Sequence, residues 1–280
     1  MSAAAERLRT SLQSVMRSLS SLEADLGIRL IHRTTRRLSL TVEGRTYLAS
    51  VRQILSDLNE ADENLRVGQA TPRGDLAVSA PVLLGQMHVA PIVVGFLEQY
   101  PKVNVQLRFT DRLCNLVEEG VDVAVRIGAL PDSTLVARPL GHLRYVVVAS
   151  PRFLRVNGTP SHPRELGRAN CLRFSGPHAT NWTFRVDRRE ITVAVAGNLE
   201  SEFVSPLLEA CARGLGFARV QSYQAAPYLA EKRLRVVLSE YEMKAHEVSV
   251  LYPNRRLVPA RVRAFVDWAT ERLPPRLIVA

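Results

Sequence analysis

Between Arg29 and Arg52 six arginines (Arg29, Arg33, Arg36, Arg37, Arg45 and Arg52) stand against a single acid, Glu43, a local charge of 6 − 1 = +5. Guanidinium groups concentrated in this way suit phosphate, which each can clamp through two parallel N–H donors, and such binding weakens as salt rises. The whole chain carries 37 − 27 = +10 over 280 residues, with Lys102, Lys232 and Lys244 as its only lysines. Net charge describes a long-range field, so it is the focus of charge on 29–52 that points to a polyanion. The other reactive residues do not assemble into a catalytic pattern. His32, His88, His142, His162, His178 and His246 show no His-Glu-x-x-His spacing, and no Gly-x-Ser-x-Gly elbow is present. Cys114, Cys171 and Cys211 are odd in number and far apart, with no Cys-x-x-Cys pair. They read as reduced packing residues, with neither metal nor cofactor expected. Gly214-Leu-Gly216 lacks the third glycine of a dinucleotide fingerprint, and Glu118, Glu119 and Asp122 beside Arg108, Arg112 and Arg126 read as an ion-pair face.

The elements that must position these residues divide near Gly68–Gly74, where the first proline, Pro72, appears. Ahead of it, Leu8, Leu12, Val15, Leu19, Leu22, Leu26 and Leu30 form an apolar stripe at helical spacing, broken by a turn at Arg9–Ser11. Ser11 suits the N-cap of the second helix and Gly27 its left-handed end. Leu38 and Leu40 alternate with polar residues as in a two-stranded wing. From Thr41 a long helix carries Tyr47, Leu48, Val51, Ile54, Leu55, Leu58 and Leu65, a stripe suited to pairing with a second copy. Beyond Gly74 strands alternate with helices, the signature of an open α/β sheet or of two. Strands are predicted at 75–79, 103–109, 121–127, 145–149, 191–195, 217–220, 234–238 and 248–252. Helices are predicted at 89–100, 112–119, 205–214 and 259–273. No run approaches the ~18 apolar residues of a membrane span, and the N-terminus lacks a signal peptide, so a cytoplasmic location with no membrane partner is expected.

Ala3-Ala-Ala-Glu-Arg-Leu8, Ser21-Leu-Glu-Ala-Asp-Leu-Gly27 and Arg33-Thr-Thr-Arg-Arg-Leu-Ser-Leu-Thr-Val-Glu-Gly44 resemble the head of LysR-type transcriptional regulators. The likeness continues through Glu118–Gly128, Leu130-Pro-Asp-Ser-Thr-Leu135, Ala149-Ser-Pro151, Gly214-Leu-Gly216 and Val262–Trp268, covering essentially the whole chain. It implies a winged helix-turn-helix at 1–41 and a dimerising linker helix at 42–72. It implies a two-lobed effector domain, like a periplasmic binding protein of the second type, at 73–280. Lobe I is expected at about 73–143 and 253–280, and lobe II at about 144–252. The implied function is control of transcription by an oligomer, a dimer or tetramer, that binds double-stranded operator DNA and responds to a small organic effector.

The resemblance assigns residues as well. A helix fits the major groove, where base edges differ in their donors and acceptors. Leu12, Gln13, Met16 and Arg17 occupy the reading positions, with Arg17 able to engage guanine or phosphate and Gln13 adenine. Arg33, Thr34, Arg36 and Arg37 of the wing are the phosphate and minor-groove candidates. For the effector, motif correspondence gives Ser79, Val82, Leu83, Ile127, Phe203, Val204 and Val220 as lining, with Arg126 as a carboxylate partner. Apolar Val82 and Leu83 stand where relatives place a hydroxyl, which argues against a carboxylate inducer. One departure concerns the start: the family has a further helix ahead of Ala3. Two expectations therefore stand, a regulator whose true start lies upstream, or a truncated sensing module with impaired DNA binding.

Overall fold

A computed structural model describes residues 2–33, 38–48, 50–51, 54–55, 71–112, 116, 119–128, 135–175, 179–254 and 258–277. The chain falls into two compact units, residues 1–70 with 114–120 and residues 71–113 with 121–280.

In the first unit, α1 (Ser2–Arg7) and α2 (Leu12–Leu26) are joined by a turn in which Arg9 is left-handed, φ 51°. The Ser11 hydroxyl accepts a hydrogen bond from Ser14 N at 3.1 Å, and Gly27, at φ 66°, returns its N–H to Ala24 O. Both caps are as the sequence predicts, because each depends on chemistry local to the helix end. Strands β1 (Ile31–Arg33) and β2 (Leu38–Leu40) pair antiparallel as the wing. The Glu23 carboxylate fixes the wing to α2, its Oε1 accepting from Leu30 N at 2.8 Å and Ile31 N at 3.1 Å. Thr41, buried, caps the next helix: its hydroxyl accepts from Gly44 N and donates to Arg29 O, both at 2.8 Å. That helix, α3, is seen at 42–48, 50–51 and 54–55. The remainder of the predicted pairing stripe, Leu58 and Leu65, lies outside the described residues.

The second unit contains two five-stranded sheets. The first lobe comprises β3 (Gly74–Ala80), α4 (Val82–Gln99), β4 (Val103–Phe109), β5 (Val123–Ile127) and β6 (Leu135–Leu143). The chain then crosses to β7 (Tyr145–Ala149), α5 (Pro151–Asn157), β8 (Cys171–Phe174) and the hairpin β9 (Asn181–Val186) and β10 (Arg189–Ala194). It continues through β11 (Glu200–Ser201), α6 (Val204–Ala212), β12 (Phe217–Gln221), α7 (Ser222–Ala230) and β13 (Arg235–Val237). It returns with β14 (His246–Pro253) and ends with α8 (Ala260–Arg272) and the short α9 (Pro274–Leu277). The sheet orders are β4-β3-β5-β14-β6 and β11-β8-β12-β7-β13. Leu76, Leu84, Phe96 and Phe265 lie in the core of the first lobe, while the second lobe has a core on each face of its sheet.

Four expectations are corrected. The second lobe does not run to 252, because β14 pairs with β5 and β6 of the first, His246 facing Leu143. The helix predicted from Val89 begins at Val82: a widened π turn at Gly85–Val89 carries it up to and through Pro91, so the proline does not mark its start. This same helix, at 18 residues, has the length and apolar composition of a membrane span, contrary to the expectation that no run approaches one. Its apolar face, with Ile92, Val93 and Phe96, is instead buried in the first lobe. Of the helix expected at 112–119, the described Arg112, Leu116 and Glu119 lie in bend and turn, and the rest falls outside the described residues.

Candidate DNA interface and effector sites

On α2 Gln13 and Arg17 are exposed and one helical turn apart, so they share a face, with Met16 half-buried beside them. Leu12 is 45% exposed, leaving its side chain free for contact outside the head. No acid lies in the first turn of this helix, so the positive end of its dipole is not neutralised locally. Arg33 closes β1, whereas Thr34, Arg36 and Arg37 lie outside the described residues. Arg29 and Arg45 flank the wing, both exposed, with Arg45 donating to Leu40 O at 3.1 Å. Sequence reasoning missed Glu23 and Thr41, whose roles are to hold the wing to the helices; Glu23 sits in a helical register that carries no sign of its partners beyond the helix end, Leu30 and Ile31.

The candidate effector residues divide between the lobes. In the first, Arg126 and Ser79 are brought together: Arg126 Nη2 donates to Ser79 Oγ at 2.8 Å and Nη1 to Val125 O at 2.9 Å. Both are buried, so this arginine is a strut between β5 and β3, and a carboxylate would have to displace its internal partners. The start of α4 is likewise engaged, since Val82 N donates to the Asp111 carboxylate at 3.0 Å. An anion already occupies the end of the helix where an anionic ligand would be favoured. Leu83 and Ile127 are half-buried against the first core. In the second lobe Phe203 is 55% exposed and Val204 half-buried at the start of α6. Val220 is a correction: only 2% exposed, it packs with Val146 and Leu207 in the core under α6. Strand alternation turns its neighbour Arg219 to the opposite face.

Arg219 lines a cavity of about 570 Å3 beneath the β9–β10 hairpin, together with Arg185, Lys244, Trp182 and Tyr145. None of the predicted effector residues lines it. The Arg219 guanidinium lies 4.5 Å from the centre of the Tyr145 ring, and burial lowers its pKa from the ordinary value. His246 packs T-shaped against the same ring, 5.5 Å between ring centres; burial, and then Arg219, push its pKa down. Nothing in the spacing of residues 145, 182, 185, 219 and 244 signals this gathering.

Tyr223 joins the lobes. It belongs to α7, which follows a strand of the second sheet, yet its ring is 1% exposed within the first core. It meets His88 edge-on at 5.5 Å, its hydroxyl accepts from Gln224 Nε2 at 3.1 Å, and burial raises its pKa. Cys171 and Cys211 are buried free thiols with pKa pushed up to about 12 by burial. Cys114 lies outside the described residues.

A winged helix-turn-helix joined to a two-lobed α/β domain defines a transcription factor with a sensing domain. The family model for the "LysR substrate binding domain" matches residues 69–274, and that for the "bacterial regulatory helix-turn-helix protein, lysR family" matches residues 1–45. The chain is 34% identical over 274 residues to the transcriptional regulator PtxR of Pseudomonas aeruginosa, covering 97% of this chain and 87% of PtxR. It is 33% identical over 273 residues to CrgA of Neisseria meningitidis serogroup C, covering 97% of this chain and 91% of CrgA. The solved structure of CrgA from N. meningitidis superposes with TM-score 0.66 at 33% identity, covering 96% of this chain and 92% of that one. The chain belongs to the LysR-type transcriptional regulators. The match at 1–45 includes the DNA-binding head, so the alternative of a sensing module without DNA binding receives no support.

Proposed function

We propose that this regulator acts without catalytic turnover, in the cytoplasm, as a homodimer or tetramer. It reads operator DNA with Gln13, Met16 and Arg17 of α2 and grips the backbone with Arg33, Thr34, Arg36 and Arg37. The observation that carries the reading is the exposed Gln13–Arg17 face on a helix capped at both ends and tied to a wing whose surroundings carry +5. Replacing Arg36 and Arg37 together with Ala removes two phosphate contacts and should flatten the slope of log K against log salt by about 1.8. Fluorescence anisotropy on promoter DNA and on unrelated DNA measures it, and an unchanged slope sinks the wing assignment.

The effector of this reading is a small organic molecule, uncharged or weakly polar, held near Ser79, Val82, Leu83 and Ile127 of one lobe and Phe203 and Val204 of the other. Support comes from Arg126, whose guanidinium is bonded to Ser79 and Val125, and from the Asp111 carboxylate at the start of α4, each of which disfavours an acid at that spot. Val204→Trp should abolish the thermal stabilisation given by whichever neutral metabolite in a screen raises the melting temperature of the unsubstituted protein, while operator affinity is retained. Stabilisation that persists in the tryptophan variant would place the effector elsewhere.

A further inference from the structure

The cavity beneath the hairpin holds more positive charge than the fold uses. Among the described residues Arg185, Arg219 and Lys244 line it against one acid, Glu190, giving 3 − 1 = +2. Glu190 faces Arg185 in the hairpin register, but it is exposed. Among the described residues neither Arg185 nor Arg219 has a carboxylate within ion-pair distance. Arg185 Nε is buried without a hydrogen-bond partner, and Arg219 rests on the Tyr145 ring. Burying a cation or an N–H donor without a partner is costly, and a bound anion would remove that cost.

The remaining walls define the rest of the ligand. Tyr145, Phe174 and Trp182 supply aromatic surface, and about 570 Å3 falls in the range of sites for small organic molecules. We propose that this cavity is a binding site for a small aromatic carboxylate, its carboxylate held by Arg185 and Arg219 and its ring set among Tyr145, Phe174 and Trp182. The site is separate from the effector surface proposed above, with which it shares no residue. Tyr145 opens the second lobe just after the chain crosses into it, and Lys244 and His246 stand where the chain crosses back. The ligand therefore touches both crossings, and its occupancy bears on how the second lobe is held.

The test is calorimetric titration of the full chain with phenylacetate, its neutral isostere phenylacetamide, and inorganic phosphate. Phenylacetate is expected to bind with Kd below about 1 mM, and phenylacetamide and phosphate at least about tenfold more weakly, since one lacks the charge and the other the ring. Arg185→Gln and Arg219→Gln should each weaken phenylacetate at least about tenfold, while Arg219→Lys keeps most of the affinity and Val204→Trp all of it. Arg185→Gln, on the hairpin, carries the test if Arg219→Gln fails to fold. No phenylacetate binding, unaltered binding in Arg185→Gln, or phenylacetamide binding as well as the acid would overturn the proposal. Equal binding of phosphate would mark an inorganic-anion site and overturn the aromatic assignment; loss in Val204→Trp would move the ligand to the other surface.

Discussion

Tyr223→Ala is expected to lower stability by about 3–5 kcal/mol, the range for deleting a large aromatic side chain from a core. For a body of roughly 200 residues this corresponds to a fall in melting temperature of about 6–20 °C. The size follows from where the ring sits: wholly buried, in the core of a lobe other than the one whose sheet its own helix follows. The cavity left behind would lie in the first core, where the ring meets His88. Tyr223→Phe keeps the ring and loses the hydroxyl's hydrogen bonding, to Gln224 and the Leu84 backbone, costing about 1–2 kcal/mol. Differential scanning calorimetry of both variants checks the prediction. A Tyr223→Ala melting point within about 2 °C of the unsubstituted protein would show that the ring does not hold the lobes together.

Gly44→Ala should act on the head alone. A methyl group there would lie 1.9 Å from the backbone oxygen of Leu30, which also accepts the hydrogen bond from Thr41 N. Backbone cannot swing aside as a side chain can, so the strand entering the wing must shift, at about 1–3 kcal/mol or more. At the upper end this is about a hundredfold in operator affinity, because the wing and the start of α3 are joined through Thr41 at this point. Anisotropy titration of operator DNA measures it, with calorimetry of the body as a control that should not change. Undiminished DNA affinity would mean that the wing tolerates displacement and does not set the grip.

What the sequence makes legible is what is local. Ser11 and Gly27 announce the ends of α2 because a cap is a contact over three or four residues, and the alternation at 103–109 becomes β4 as predicted. Elements fixed by distant partners are not legible in this way. Strand β6, which contains Pro139 and Gly141, is not among the predicted strands; it is an edge strand, where a missing donor is tolerated, and its pairing with β14 is irregular at Val248/Ser249. The placement of β14 in the first sheet depends on pairing across more than a hundred residues, which no period in 248–252 reveals. Of the candidate effector residues, Ser79 and Arg126 are brought into contact, but their mutual satisfaction is visible only in three dimensions. Arg219 is not legible beside Val220, because motif correspondence gives a position and not the face of the sheet it lies on.

The hydrogen-bonded register of His246 against Leu143 has a consequence for how such regulators can change. The second lobe is a single continuous insert whose two ends emerge side by side on neighbouring strands, about 5 Å apart as paired residues in a sheet are. A two-residue hairpin turn would span the same gap, so the first sheet does not depend on the insert to bring its strands into register. Half of the sensing apparatus is thereby free to be exchanged or reshaped as one cassette, subject to one restriction, that whatever replaces it must still present a side chain to fill the place of Tyr223.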